Sequence, residues 1–464
     1  MNSKPLAYDS LKTVLEYMDP NIRFLLSSRV PSIRTAERAV PLKIEEFEMR
    51  NNKIRINRTN YEFGIYQVDR QDNIPHKVSG LNKLNYKWTS DVDEFGIPDY
   101  ITKEGGMLPG NNGSGERNLF GFEDDEIIPD NDGRLQKLER ILETEKNRYK
   151  QLLRYRPKKA IRNHHSQYLG HRSFRRIARD RAQIYSNEEL EMLKTKEEVD
   201  NAIEDTKNNI KLMENQILPF QNRRDNIRPK FEIYVRKSDG RSPSHLIERV
   251  NYTGDLHKAV ESFINYIFSK RRHVIEINRL WTPSNTSMPR ILKFKVKRLV
   301  IQERGSIESV EPIIEESSFP LEKVTIDIGF RGTEELDHEI IRTAKLLKID
   351  VSFASSQLLQ NVTHPNVEFR FYSFFTEHPE FFVLIRHYVE TNKPIGTCYL
   401  FNTHRSEEIA ISILENISIG IQGAIYDNKC VTIPMRNSTV LKLSCVYPPG
   451  QNYAHIKMTI VSLE

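Results

Sequence analysis

Cys398 and His404 stand six residues apart, and a thiol beside an imidazole can make a nucleophile. Cys398 falls, however, at the middle apolar position of an expected strand, where cysteine acts as a small hydrophobe. Reactive thiols need an electropositive, partly exposed setting, so the reading for Cys398 is core packing. Gly110, Gly113 and Gly115 come without a following Lys-Ser/Thr and without a preceding strand, which removes a phosphate-binding loop. His164, His165 and His171 lack a thiol or carboxylate at ligand spacing. Arg162, Arg172 and Arg175 around them would repel a divalent ion. The expectation is a protein with no catalytic residue, metal or cofactor.

One basic stretch remains. Lys158, Lys159, Arg162, Arg172, Arg175, Arg176, Arg179 and Arg181 are interleaved with Tyr155, Tyr168 and Phe174. Cations for phosphates and aromatics for stacking suit RNA or single-stranded DNA. The same residues also suit a solvated insertion paired with the acidic run Glu123, Asp124, Asp125, Glu126, Asp130 and Asp132, or a nuclear localisation signal. Basic runs alone carry little specificity, so the solvated insertion is preferred. Nucleic-acid binding through 146–181 stands as the alternative.

The chain has 464 residues, 38% of them hydrophobic and 28% charged, with 69 Lys and Arg against 63 Asp and Glu. That is enough apolar content to fold, over a length suited to more than one domain. Met1-Asn2-Ser3-Lys4-Pro5 leads into an amphipathic segment and not an apolar signal region. Apolar runs such as 381–385 and 410–414 are stopped by charge at Arg386 and Glu415, so no membrane span is expected. The 3 cysteines, Cys398, Cys430 and Cys445, are too few and too widely spaced for a disulfide framework. The expected location is cytoplasmic and/or nuclear.

Five regions follow along the chain. Residues 1–40 read as short helices: Leu11, Val14, Leu15 and Met18 share a face, and Asp19-Pro20 breaks the first helix. Residues 41–103 change to period two (Leu42, Ile44; Ile54, Ile56; Tyr61, Phe63, Ile65), a small β-meander. Residues 104–133 are an acidic, Gly-rich linker. Residues 134–220 read as a long helical hairpin carrying the basic insertion. Val199, Ile203, Thr206, Ile210, Met213 and Ile217 form a coiled-coil-like seam, Ser186 and Glu189 a capping box at its start, and Pro219 its end. In the partner helix Leu135, Leu138, Leu142, Tyr149 and Leu152 are interrupted by Glu145.

In residues 228–464 the pattern apolar-x-x-apolar-x-apolar recurs as Val296/Leu299/Ile301, Leu321/Val324/Ile326 and Leu346/Ile349/Val351, about 25 residues apart, the period of leucine-rich-type repeats. Weaker versions are Phe369/Phe371, Ile395/Cys398/Leu400 and Leu414/Ile417/Ile419. Helix-period segments lie between them, so the strands should align in parallel and stack. The asparagine of that repeat is missing, with Arg304, Gly329 and Ala354 in its place. Residues 423–463 return to period two and should close the stack with antiparallel strands. The fold class is α+β to α/β: N-terminal helices, a meander, a long helical hairpin and an irregular leucine-rich-repeat-like stack.

Pro5-Leu6, the helix 11–18, Asp19-Pro20-Asn21 and Leu25-Leu26-Ser27 resemble an F-box. Ser28-Arg29-Val30-Pro31-Ser32-Ile33-Arg34, Glu37, Pro41-Leu42, Gln216-Ile217-Leu218-Pro219-Phe220-Gln221, Tyr252-Thr253-Gly254-Asp255-Leu256-His257-Lys258 and Pro394-Ile395-Gly396-Thr397 are similar to segments of the nematode F-box C-type proteins. That family joins a divergent F-box to a C-terminal domain of unknown function. The resemblance implies docking to the small adaptor subunit of an SCF-type ubiquitin ligase through Pro5, Leu6, Leu11, Val14, Leu15, Met18 and Leu25, with a protein client held by the C-terminal region. Pro5-Leu6 inverts the usual order, and Ser28-Arg29-Val30-Pro31 stands where a Val-Cys and a tryptophan commonly end the motif. The alternative for these apolar residues is packing against the meander, which would make the F-box-like segment part of a scaffold.

Overall fold

The structure, a computed structural model, describes residues 8–50, 53–70, 74–79, 91–97, 131–157, 174, 183–240, 242–282, 292–301, 307–328, 334–351, 356–371, 375–447 and 453–463, with backbone alone at 131, 134, 334, 335, 404 and 405. It divides into two compact units. Met1–Asn60, Asp239–Arg241 and Phe263–Glu464 make the first; Tyr61–Ser238 and Ser242–Ser262 make the second.

The first unit opens with helices α1 (Tyr8–Glu16), α2 (Pro20–Arg29) and α3 (Arg34–Ala39). Asp19-Pro20 separates α1 from α2 and also starts α2. The Asp19 carboxylate accepts from the Asn21 N–H at 2.8 Å, and Pro20 takes a first-turn position where a missing N–H costs nothing. Strands β1 (Lys43–Arg50) and β2 (Lys53–Ile56) form the expected antiparallel hairpin. On its other edge β1 runs parallel to β7 (Ile275–Trp281), with Ile44 beside Ile277 and Phe47 beside Leu280. This hairpin therefore extends the C-terminal sheet, because an open strand edge is itself a hydrogen-bonding template.

From β7 onward, β8 (Phe294–Ile301), β9 (Lys323–Asp327), β10 (Leu347–Val351), β11 (Asn366–Phe371) and β12 (Cys398–Arg405) each lie parallel to the strand before. Their register stacks like on like. Leu299, Val324, Leu347, Val367 and Tyr399 form one row, and Ile301, Ile326, Ile349, Phe369 and Phe401 the next. All are 3% exposed or less, each contributing roughly 1.5–3 kcal/mol by leaving water. β16 (Ala454–Ser462) then adds antiparallel to β12, followed outward by β15 (Thr439–Val446), β14 (Cys430–Pro434) and β13 (Ile425–Asp427). Val431, Ile433, Leu443, Ile456, Met458 and Ile460 are buried on one face of these strands, whereas Val440, in register with Val461, is buried on the other.

Three repeat positions differ from the sequence reading. Leu347 and not Leu346 is buried with Ile349 and Val351: β10 pairs Leu347 with Val324 and Ile349 with Ile326, so strand alternation places the inward residues two apart and Leu346, three before Ile349, falls off that face. β12 begins at Cys398, and Ile395 is 62% exposed. Leu414, Ile417 and Ile419 belong to the helix Glu407–Gly420, where Ala410, Ile413, Leu414 and Ile417 form the buried helical face.

In the second unit β3 (Thr59–Gln67) pairs with β4 (His76–Ser79), and β5 (Phe231–Ser238) with β6 (His245–Asn251), both antiparallel. Tyr66 stacks on Tyr234 at 4.5 Å. Two long helices, Asn131–Arg154 and Lys196–Arg224, accompany them. Leu138 packs with Ile217 and Phe220, Lys146 pairs with Glu214 at 3.1 Å, and Leu152 packs with Val199 and Ala202. Contacts that rise along one helix fall along the other, so the pair is antiparallel. The Ser186–Glu189 capping box forms but caps a separate short helix, Asn187–Glu191; Thr195 and Glu198 supply a second box for the long one. Nor does Pro219 end that helix. Proline in a helix costs about 3 kcal/mol, and here buried Phe220 and the Asn222 amide, which donates to the Phe95 carbonyl at 3.3 Å, hold the further turn. Glu145 is buried but paired with Arg148 at 2.5 Å.

Candidate protein-interaction surfaces

Successive residues of a helix turn by about 100°. Leu11, Val14 and Leu15 share one side of α1, and Met18 and Tyr17, in the turn that follows its end at Glu16, carry the stripe on, an arc of roughly 160° when the helical rotation is continued through them. Leu15, at 0% exposure, packs with Ala36 and Val40 at the α3 end. Leu11 and Met18 are half-buried against the same cluster. Beyond them the cover stops, and Val14 is 45% and Tyr17 86% exposed. Leu15 is therefore consumed by this chain's own third helix, although it was expected to face a partner. Leu25 is half-buried, and Pro5 and Leu6 lie outside the described residues.

What anchors these helices is ionic. Glu37 of α3 takes Arg23 Nη2 at 3.1 Å and Arg271 Nη2 at 2.8 Å, and all three side chains are 4% exposed or less. Arg23 also donates to the carbonyls of Pro41 (2.8 Å), Glu37 (2.9 Å) and Val40 (3.2 Å), and Arg271 to that of Ile267, while Arg271 Nη1 is buried without a hydrogen-bond partner. Burial pushes both arginine pKa values down from their usual range, and the Glu37 charge opposes this. Nearby, Phe24, Phe47 and Phe294 each pack edge-on against Phe268, and Phe47 and Phe294 tilt against each other. Sequence reading quoted Glu37 without a role and missed Arg23, Arg271 and Tyr17. For Tyr17 a signal existed, since it sits one step beyond Val14 on the wheel.

The second surface is the polar side of the parallel strands. Alternation leaves Lys323, Lys348, Asp350 and Glu368 half-covered on the side opposite the apolar rows. Lys323 Nζ meets Glu368 at 2.6 Å, and Lys348 lies 3.7 Å from Glu368 and 3.9 Å from Asp350. Arg279 and Arg55 both reach Glu46, at 2.7 and 3.1 Å. Burial pushes the Asp350 carboxyl above its usual range, against Lys348 and Arg370, with Asp327 in register beside it. These pairs fix a pattern of alternating charge, the kind of surface that selects a partner by complementarity more than by raw affinity.

The remaining sequence candidates fall elsewhere. Lys158, Lys159, Arg162, Arg172, Arg175 and Arg176, with His164, His165 and His171, lie outside the described residues. Cys398 is half-buried and not in the core, because Tyr399 and Phe401 hold the inward positions of β12. Cys430 and Cys445 are also free. Among the described residues no three His, Cys, Asp or Glu side chains gather to hold a metal ion, and no helix is long and apolar enough to cross a membrane. In the second unit an open cavity of about 470 Å³ is lined by Val92, Pro229, Phe231 and Tyr252, with Arg228 and Glu94 3.6 Å apart at its rim.

A family model described as a domain of unknown function, DUF3557, matches residues 255–405. The matched stretch carries β7 to β12, the parallel strands and their charged side, and does not reach α1 to α3. The chain thus contains a C-terminal domain of unknown function. No curated protein and no solved structure matches it.

Proposed function

We propose that this chain is a non-catalytic adaptor of the F-box type, a substrate receptor of an SCF-like ubiquitin ligase. In this reading α1 docks the small adaptor subunit of the ligase. The C-terminal strands, read as a leucine-rich-repeat-like stack, hold a protein client on their charged side. The half-covered arc of α1 carries the proposal: an apolar stripe wider than the helix it packs on leaves Val14 and Tyr17 for a partner. The resemblance of the N-terminal segments to nematode F-box C-type proteins supports it. The Glu37 ion cluster would make the docking helix rigid against the first-unit sheet, so that a client is held at fixed distance and orientation, which is all the catalysis such an adaptor needs. The site of action would be the cytosol or nucleus.

A second reading, favoured by the burial of Leu15 and Glu37, is a scaffold in which these helices are purely structural. The test is co-purification with the ligase adaptor subunit. The Val14→Asp/Tyr17→Asp pair should lose it while keeping the wild-type unfolding midpoint, and equal recovery of both proteins removes docking through this face. Absence of the subunit from wild-type preparations leaves the scaffold. Nucleic-acid binding through 146–181 is a separate proposal. It requires an affinity that falls steeply with salt.

A further inference from the structure

Three histidines of the first unit make the same local bond. Each Nδ1 accepts from the backbone N–H two residues on: His338 from Ile340 at 3.2 Å, His364 from Asn366 at 3.1 Å, His378 from Glu380 at 3.3 Å. A ring nitrogen accepts only while it carries no proton. His338 is half-buried and His378 exposed, so water can replace their bonds. His364 is 4% exposed, and its Nε2 lies 2.8 Å from the Ala344 carbonyl. A carbonyl only accepts, so Nε2 donates. Both nitrogens are committed in opposite roles, and the neutral ring alone satisfies both.

The segment that His364 closes has its backbone satisfied largely from outside. Tyr388 Oη donates to the Leu359 carbonyl at 2.8 Å, and Lys393 Nζ and Tyr399 Oη donate to that of Val362 at 2.7 and 3.1 Å. The Cys398 N–H donates to the Pro365 carbonyl at 2.8 Å. The ionisable side chains that bond to this segment's backbone are Tyr388 from the helix Pro379–Glu390, Lys393 just after it, and Tyr399 from β12. None of the three is a carboxylate. Burial pushes the Lys393 ammonium down and both tyrosine hydroxyls up. Only imidazole ordinarily changes charge near neutral pH.

We propose that His364 is an acid-sensitive latch on the connection between β10 and β11. Protonation places a hydrogen on Nδ1 against the Asn366 N–H, with no counter-charge from the side chains named. The bond is present while the ring is neutral and is lost as pH falls. Release frees residues 361–366 and the start of β11, the strand that carries Glu368 and Arg370 on the charged side.

The test is hydrogen exchange of the full chain, corrected for intrinsic pH dependence and compared at about pH 7.5 and about pH 5, the range over which imidazoles as a class change charge. Protection of the Asn366 amide should fall by up to about tenfold per pH unit, the limit for one linked proton, while β15 and β16 amides keep theirs. His364→Asn retains an acceptor oxygen and a donor nitrogen without titrating, so it should make that protection independent of pH. If this variant does not fold, ring-nitrogen NMR on wild type reads the same event, with the His364 ring and the Asn366 amide titrating together. Protection that ignores pH, an equal loss in His364→Asn, or a ring that titrates without the amide overturns the latch.

Discussion

The α1 helix and the parallel strands are both two-faced, yet they use their apolar faces differently. In β8 to β12 every inward position is matched by register to another, so both apolar rows are covered by the fold and the opposite side is left with paired charges. Along α1 the stripe begins fully covered at Leu15 and ends nearly bare at Tyr17, one residue past the helix. A sheet finds cover for its whole face from helices that cross it. A single helix finds only what its neighbours span, and α3 is a short helix of six residues. Periodicity therefore tells which side is apolar and not how far the cover extends.

The comparison can be broken most severely by isolating residues 255–405. That fragment removes β1 from beside β7 and β16 from beside β12, so it should show no cooperative urea transition. A folded fragment would mean that the strands need no flanks. Glu37→Gln comes next: two buried guanidiniums lose their counter-charge, at a cost of about 3–5 kcal/mol, read from the denaturation midpoint of the full chain. Leu15→Ala should cost about 2–5 kcal/mol, whereas Val14→Ala on the same helix should stay within about 0.5 kcal/mol. Equal effects would contradict a half-covered arc. The smallest change is Lys323→Met, about 1 kcal/mol, because Lys348, 3.7 Å from Glu368, still offsets that charge. Burial works against the Glu368 carboxylate, but the Lys323 bond and the Lys323 and Lys348 charges hold it below the usual range. Its stabilisation is present above the unfolded carboxylate value and lost as pH falls through the folded one. The Lys323→Met difference should accordingly shrink in acid.

Much of the C-terminal fold could be read from the residues, because alternating apolar positions and a repeat near 25 residues are local signals. The errors arose where two geometries share a spacing. Leu346 completes the triplet by count although strand alternation places Leu347 inward, and Leu414 with Ile417 fits a helix as well as a strand. Pro219 was overruled by packing that no local rule contains. The turn asparagine sought at Arg304, Gly329 and Ala354, all outside the described residues, has a counterpart later, where Asn402 Oδ1 accepts from the Phe371 N–H at 2.7 Å. The Glu37 cluster was hidden because Arg271 stands 234 residues away. No window of sequence brings an acid and its base together over that distance. The α1 stripe was visible, but the line dividing its buried edge from its open edge depends on Ala36 and Val40.

Hydroxyl-radical footprinting of the full chain, alone and with purified ligase adaptor subunit, examines that line residue by residue. Tyr17 should label readily and Leu15 hardly at all in the free chain, and saturating subunit should protect Tyr17 while leaving Leu15 unchanged. A Tyr17 already protected in the free chain, or one indifferent to the subunit, would contradict the half-open helix as a docking site.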